Sequence, residues 1–279
     1  MVAPGHAALS VVAIEGLPEV APGDDLAQLI ATAITRDRHP DPDPDPGRHR
    51  DPDHSPDPDP AIRDTDVLVI AHKVVSKSEG RVRRLADVRP TPRAIELAAE
   101  LGKDPRHVQV ILDESREVLR ASHGVLICVT HHGFVCANAG VDGSNVPGDD
   151  ALVMLPRDPD ASARSLRARL KGRVNARPAI LITDSFGRAW RHGQVDVAIG
   201  CAGLTPLEDW RGRTDALGGK LRATWIAIAD ELAAAADLAR TKDGALPVVL
   251  VRGADRHVSL EDGPGAAALI RPEAQDLFR

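Results

Sequence analysis

Tyrosine is absent from the chain, which carries only three phenylalanines and three tryptophans among its 279 residues. So few rings leave little stacking surface for single-stranded nucleic acid, and a net charge of -6 argues against a nucleic-acid platform. Only three cysteines occur, Cys128, Cys136 and Cys201, with no CxxC pair. An odd count in apolar surroundings excludes a disulfide framework and reads as reduced core thiols. No run approaches the roughly 18 apolar residues of a membrane span. The first residues, Met1-Val2-Ala3-Pro4-Gly5-His6, lack the basic and apolar regions of a secretory leader, so a cytoplasmic protein without a membrane partner is expected. Also missing are GxxxxGK[ST], a GxGxxG after a strand, a nucleophile elbow and HExxH, which removes the standard nucleotide and hydrolase fingerprints.

What is present is a set of apolar strands running out into loops rich in acids and small residues. Cys136 to Asn145 ends one such strand and supplies Asp142 with Asn138, Ser144 and Asn145. Residues 179–188 repeat the pattern, delivering Asp184 and Ser185 into a loop opened by Gly187. Oxygen donors at strand ends suit Mg²⁺ or Mn²⁺ better than zinc. Asp-Gly and Ser-Asn are also ordinary turn pairs, so turn chemistry and metal binding both fit Asp142.

In chain order, residues 9–14 predict a strand and 26–34 an amphipathic helix capped by Asp24 or Asp25. Residues 37–60 are dominated by Asp-Pro pairs with scattered histidines. Such a segment buries almost nothing and reads as a disordered insertion, and the irregular spacing of His39, His49 and His54 does not describe a metal site. A strand over 66–71 is expected to continue to Val75 and give way to a polar loop over 76–81, where a lysine such as Lys77 fits either a phosphate contact or an ordinary solvated position. Helices follow from Thr91 to a stop at Gly102, and from Asp104 through the charged residues 113–118. Residues 125–130 and 134–138 predict a β-hairpin with His131 and His132 at its tip. Further on come a strand over 152–156, a basic helix over 163–170, strands at 179–184 and 195–203, a helix over 224–238 and a last strand over 247–253. Arg188 and Arg191 are candidates for carboxylate or phosphate recognition. Acids at strand ends among lysines and arginines suit an anionic, metal-chelated substrate such as a nucleoside triphosphate.

Several of these segments resemble, in order, the coenzyme F420-0:L-glutamate ligase family. They are Glu15-Gly16-Leu17-Pro18-Glu19-Val20 with Gly23-Asp24-Asp25-Leu26, Val75 to Arg81, Asn138 to Val146, Ile182 to Arg188, Ala198-Ile199-Gly200, Asp209 to Arg213 and Val251-Arg252-Gly253. The resemblance implies an α+β, two-part mixed α/β fold, with residues 1–279 forming one ligase-like unit. Its motifs span about 9–253, are interrupted by the 37–60 insertion, and leave no C-terminal reductase domain. It implies a homodimer that uses GTP to add L-glutamate to coenzyme F420-0, a deazaflavin carboxylate, through an acyl phosphate, building a γ-linked glutamate tail. It further implies Mg²⁺ or Mn²⁺ on Asp142, Asp184 and Ser185, sometimes with K⁺. Nucleotide contacts fall on Leu17, Pro18, Glu19, Val20, His72, Lys73, Lys77 and Asn145, and catalysis on Lys77, Asp142 and Asp184. His72-Lys73 stands where relatives can carry small hydroxyl residues, and Arg240 to Gly244 replaces a segment that in relatives can hold an acidic second-metal ligand. The alternatives are a nucleotide- or deazaflavin-binding protein without turnover, and an amide ligase acting on a different acid.

Overall fold

The computed structural model describes residues 8–38, 61–144, 150–241 and 244–277. The expected Asp-Pro insertion therefore falls almost wholly outside the described residues. The chain opens on β1 (Ser10–Ala13), and a loop leads to α1 (Leu26–Arg38), whose first turn is capped by Asp25 accepting from the Gln28 amide. β2 (Val67–Ala71) follows, with Val67 to Ile70 fully buried. It does not run on to Val75. The chain turns at Ala71 into α2 (His72–Ser78), so the expected strand extension and the first half of the polar loop are helix. Val74 and Val75 favour a strand locally, but the helical turn seats Val75 in the core, and tertiary packing prevails over propensity.

β3 (Val82–Arg84) leads to α3 (Pro92–Leu101), which carries a Thr91 cap, Pro92 at its first position and a left-handed Gly102 at its end, as the sequence predicts. α4 (Pro105–Asp113) is shorter than expected. The charged stretch after it is strand β4 (Ser115–Ser122), paired with β5 (Val125–Thr130), which in turn forms the predicted hairpin with β6 (Val135–Ala137). β4 carries two register irregularities and only partial burial, so it lacks the alternation that marks a strand. β7 (Ala151–Val153) pairs with β3, and α5 (Pro159–Val174) is capped by Asp158. β8 (Ala179–Arg188) and β9 (Arg191–Ala202) make one long hairpin, so Asp184 and Ser185 lie within a strand and not in a loop. Short strands β10 (Glu208–Asp209) and β11 (Trp225–Ile226) precede α6 (Ile228–Asp237) and β12 (Val248–Arg252).

The main sheet has the order β1-β12-β2-β8-β9, with β2 and β8 parallel and the other neighbours antiparallel. The final strand thus enters the middle of the sheet. One face packs on α1, α2 and α5 through Ile30, Val75, Leu170 and Ile180; the other packs on α6 through Leu181, Ala229 and Ala233. A second part closes around Leu97, Val108, Ile111 and Leu126 of α3, α4 and β5. This is the expected two-part mixed α/β arrangement. β9 is an edge strand of the sheet, and outward amides at its C-terminal end and just past it are capped: Ala198 N donates to Asp230, Cys201 N to Asp160 and Gly203 N to the Asp262 carbonyl.

Candidate functional site

Parallel pairing of β2 with β8 sets Ala71 beside Thr183, so the residues that follow, His72 and Asp184, meet where β2 ends and β8 runs on. His72 is buried and places Nε2 3.2 Å from Asp184 Oδ1, with Nδ1 3.3 Å from Ser76 Oγ. The Nε2 contact is too far off line for a hydrogen bond, which leaves that buried nitrogen without a partner. The next side chain, Lys73, reaches the other acid: its ammonium lies 2.6 Å from Asp142 Oδ2 and 2.6 Å from Ser144 Oγ. Two consecutive residues at the start of α2 therefore stand beside the two acids, Lys73 bonded to Asp142 and His72 against Asp184.

Asp142 is fixed by its backbone as well, through paired bonds with Val153. The approach to it, Asn138-Ala139-Gly140, runs through three residues of positive φ. A Cβ at Gly140 would stand 2.7 Å from the Leu155 side chain, so the turn needs glycine for space as well as for conformation. The Asp142 carboxylate accepts from the Ser144 amide and hydroxyl, which is the turn chemistry the sequence allowed, and from Lys73 as well. Burial pushes its carboxyl up, but Lys73 and Ser144 outweigh that and hold it below the usual carboxylate range.

Lys77 lies one helical turn beyond Lys73 on the same side of α2. It is buried and pairs with Glu19, in the loop of Leu17, Pro18, Glu19 and Val20. That loop is tied to α2 by Gly23 N donating to the Ser78 carbonyl. The loop and the helix are thus brought together as the sequence pairing of these motifs implies. Asn145 lies outside the described residues.

Ser185 sits differently. Side chains alternate along β8, so Ser185 faces away from Asp184 and donates to Asp196 Oδ1 at 2.7 Å. Thr183 donates to the other oxygen of Asp196 at 2.8 Å. Arg240, just past α6, completes the cluster with bonds to Asp196 Oδ2 at 2.9 Å and to the Val69 carbonyl at 3.0 Å. Burial pulls the Arg240 guanidinium pKa down against the opposing charge of Asp196. Asp196 escaped the sequence reading; its one signal was an acid set between apolar strand residues, Val195-Asp196-Val197. Arg188 and Arg191 project at the exposed end of the β8–β9 hairpin, where Arg188 donates to the His192 carbonyl. His131 and His132 diverge as expected, onto the carbonyls of Asp113 and of Pro156 with Arg157. Burial pushes the thiols of Cys136 and Cys201 up to about 12, with the charge of Asp184 adding to the effect at Cys136. Neither is a thiolate nucleophile at neutral pH.

Among the described residues no three acid, histidine or cysteine side chains converge as a complete metal cage. Mg²⁺ and Mn²⁺ nevertheless bind through one or two carboxylates, waters and substrate phosphates. Asp184 fits that mode: it is partly exposed, is paired with no Lys or Arg among the described residues, and stands beside the unpartnered nitrogen of His72. Asp142 fits it when Lys73 turns to another anion.

Comparison with known proteins follows this geometry. Residues 16–253 match the family model described as F420-0:Gamma-glutamyl ligase. A protein of Methanothermobacter thermautotrophicus named Coenzyme F420:L-glutamate ligase is 40% identical over 273 residues, covering 97% of this chain and 99% of the relative. A protein of the same name from Methanocaldococcus jannaschii is 43% identical over 219 residues, covering 78% of this chain and 86% of the relative. The relative from Archaeoglobus fulgidus, again of that name, is 37% identical over 272 residues, or 97% of this chain and 96% of its own length.

Proposed function

The chain belongs to the F420-0:gamma-glutamyl ligase family, and from that premise we propose that it joins L-glutamate to coenzyme F420-0 at the expense of GTP. The observation that carries the reading is the junction of β2 and α2, where His72 and Lys73 stand beside two acids and Lys77 extends the same helical face. It is an anion-handling surface beside two carboxylates, which is what transfer of a phosphoryl group requires.

A carboxylate is a poor electrophile and must be activated before an amine attacks it. An oxygen of the F420-0 carboxylate attacks the γ-phosphorus of GTP, the bond to the β-phosphate oxygen breaks, and GDP leaves. The glutamate amine then attacks the acyl carbon, phosphate departs with the former carboxylate oxygen, and the amine gives up a proton as the amide forms. Lys73 and Lys77 exchange their carboxylate partners for phosphate oxygens and stabilise the charge that spreads over them. Their present partners, Asp142 and Glu19, hold both ammonium groups in place before the nucleotide arrives. His72 stands against Asp184, and the Glu19 loop covers α2. When bound, Mg²⁺ or Mn²⁺ would neutralise phosphate charge, and Asp184 and Asp142 are the side chains that would hold it, whereas the Ser185 hydroxyl points to Asp196 on the other face of β8. Possible use of K⁺ and assembly as a homodimer belong to the same proposal.

Incubation with F420-0, L-glutamate, GTP and Mn²⁺, read by mass spectrometry, tests it. A glutamate-sized increment that depends on GTP is the expected result, and successive increments give the tail length. GTP binding without any increment would move the reading to a different acid or to a binding protein.

A further inference from the structure

The chain's rings are few, yet two of its three phenylalanines line one cavity. Phe134, at the base of β6, and Phe186, on β8, meet edge to face with ring centres 6.3 Å apart. Val197 and Ile270 add apolar wall, and the cavity measures about 250 Å³. Polar groups stand at its margins: Asp230, which also caps the Ala198 amide, and the exposed guanidinium of Arg271.

Its position relative to the acids follows from strand geometry. Phe186 lies two residues beyond Asp184 on the same face of β8, and Val197 is the residue directly across from Asp184 on β9. The cavity therefore begins where the candidate reaction centre ends. Neither the Glu19 loop nor Lys77 lines it. Apolar walls, two rings and a few polar groups at the rim match a flat heteroaromatic ligand.

Resting on the ligase reading above, we propose that this cavity seats the deazaflavin ring system of the acid substrate, so that the arm bearing its carboxylate extends toward Asp184. The ring lies against the wall that Phe134 and Phe186 form together, and Asp230 and Arg271 meet its polar edge. Phe134, Phe186 and Val197 are then specificity-determining residues for the acid substrate and leave GTP untouched.

The probe is a deazaflavin nucleoside that lacks the carboxylate-bearing arm, measured by equilibrium dialysis against the full chain. Val135 is an exposed residue at the rim, so Val135→Trp fills the cavity without opening the core; Ile270→Trp fills it from the opposite wall. The ring fragment is expected to bind the unaltered protein and to lose about tenfold or more in affinity in both variants. GTP binding, measured on the same samples, is expected to be unchanged and reports that the variants are folded. In turnover, KM for F420-0 is expected to rise by a similar factor while KM for GTP does not. No binding of the fragment to the unaltered protein, or equal binding by the filled and unfilled forms, overturns the proposal. These outcomes are independent of the ligase reading, because a protein that ligates glutamate with an unchanged KM in both variants keeps its activity and loses only this seat. Conversely, a protein that binds the fragment in the cavity yet adds no glutamate keeps the seat and loses the ligase reading.

Discussion

At the scale of single residues, the two acids differ in what already balances them. Asp142 has an ammonium at 2.6 Å, whereas Asp184 accepts from the Ser185 amide and faces an imidazole nitrogen set off line. Removing the charge of either leaves the backbone geometry to other bonds: Asp142 keeps its bridge to Val153, and Asp184 its place in β8. Asp184→Asn and Asp142→Asn are expected to lower kcat for glutamate addition by at least about a hundredfold, with the melting temperature close to that of the unaltered protein. Turnover within a few fold of normal in either variant removes that acid from the site. Asp184 was legible in the sequence because it follows a run of apolar β-formers, the position where α/β proteins gather ligands, whereas the small residues before Asp142 fit a turn equally well. The partners were not legible. His72 and Lys73 read as strand residues, and nothing in the linear order says that a helix begins there and turns both toward acids 69 and 112 residues away in the chain.

Among elements, the point where α6, β2, β8 and β9 come together is held by one ion pair. Arg240 and Asp196 are both buried, and between them they bind Thr183, Ser185 and the Val69 carbonyl. Loss of one partner leaves a buried charge alone, so Arg240→Met is expected to destabilise the fold by about 3–5 kcal/mol. Arg240→Met with Asp196→Asn removes both charges and is expected to recover most of that loss in urea unfolding. If the double variant is no more stable than the single one, the pair is not the source of the effect. The sequence marked Arg240 only as a departure from an acidic pattern; the three-dimensional pairing gives the departure its physical content, because the cation answers an acid on a neighbouring strand. Helices were read well where caps and prolines announce them, as at Thr91-Pro92 and Asp158-Pro159. They were missed where the local signal was contrary, as at Val74-Val75. β4 was missed because its strand pairing is broken by two irregularities and its side chains are mostly half exposed.

For the molecule as a whole, the family match and the main sheet both span the Asp-Pro segment without depending on it. The residues on either side are placed independently: α1 packs into the core before it, and Ala61 accepts a bond from Arg252 after it. Replacing residues 39–60 with a short glycine-serine linker is accordingly expected to leave kcat within about tenfold of the full chain. A larger loss in the mass-spectrometric assay assigns that segment a part in turnover. Fold class was legible because strands and helices alternate with clear punctuation, whereas the sheet order was not, since β12 inserts between strands laid down far earlier. The capped border of β9 has a further consequence for how copies of this molecule meet. Asp230, Asp160 and the Asp262 carbonyl already occupy amide groups that an incoming strand would need. Over residues 198–203 of that border, growth of the sheet from one molecule into the next, the first step toward a fibril, is opposed by three hydrogen bonds that already occupy the template.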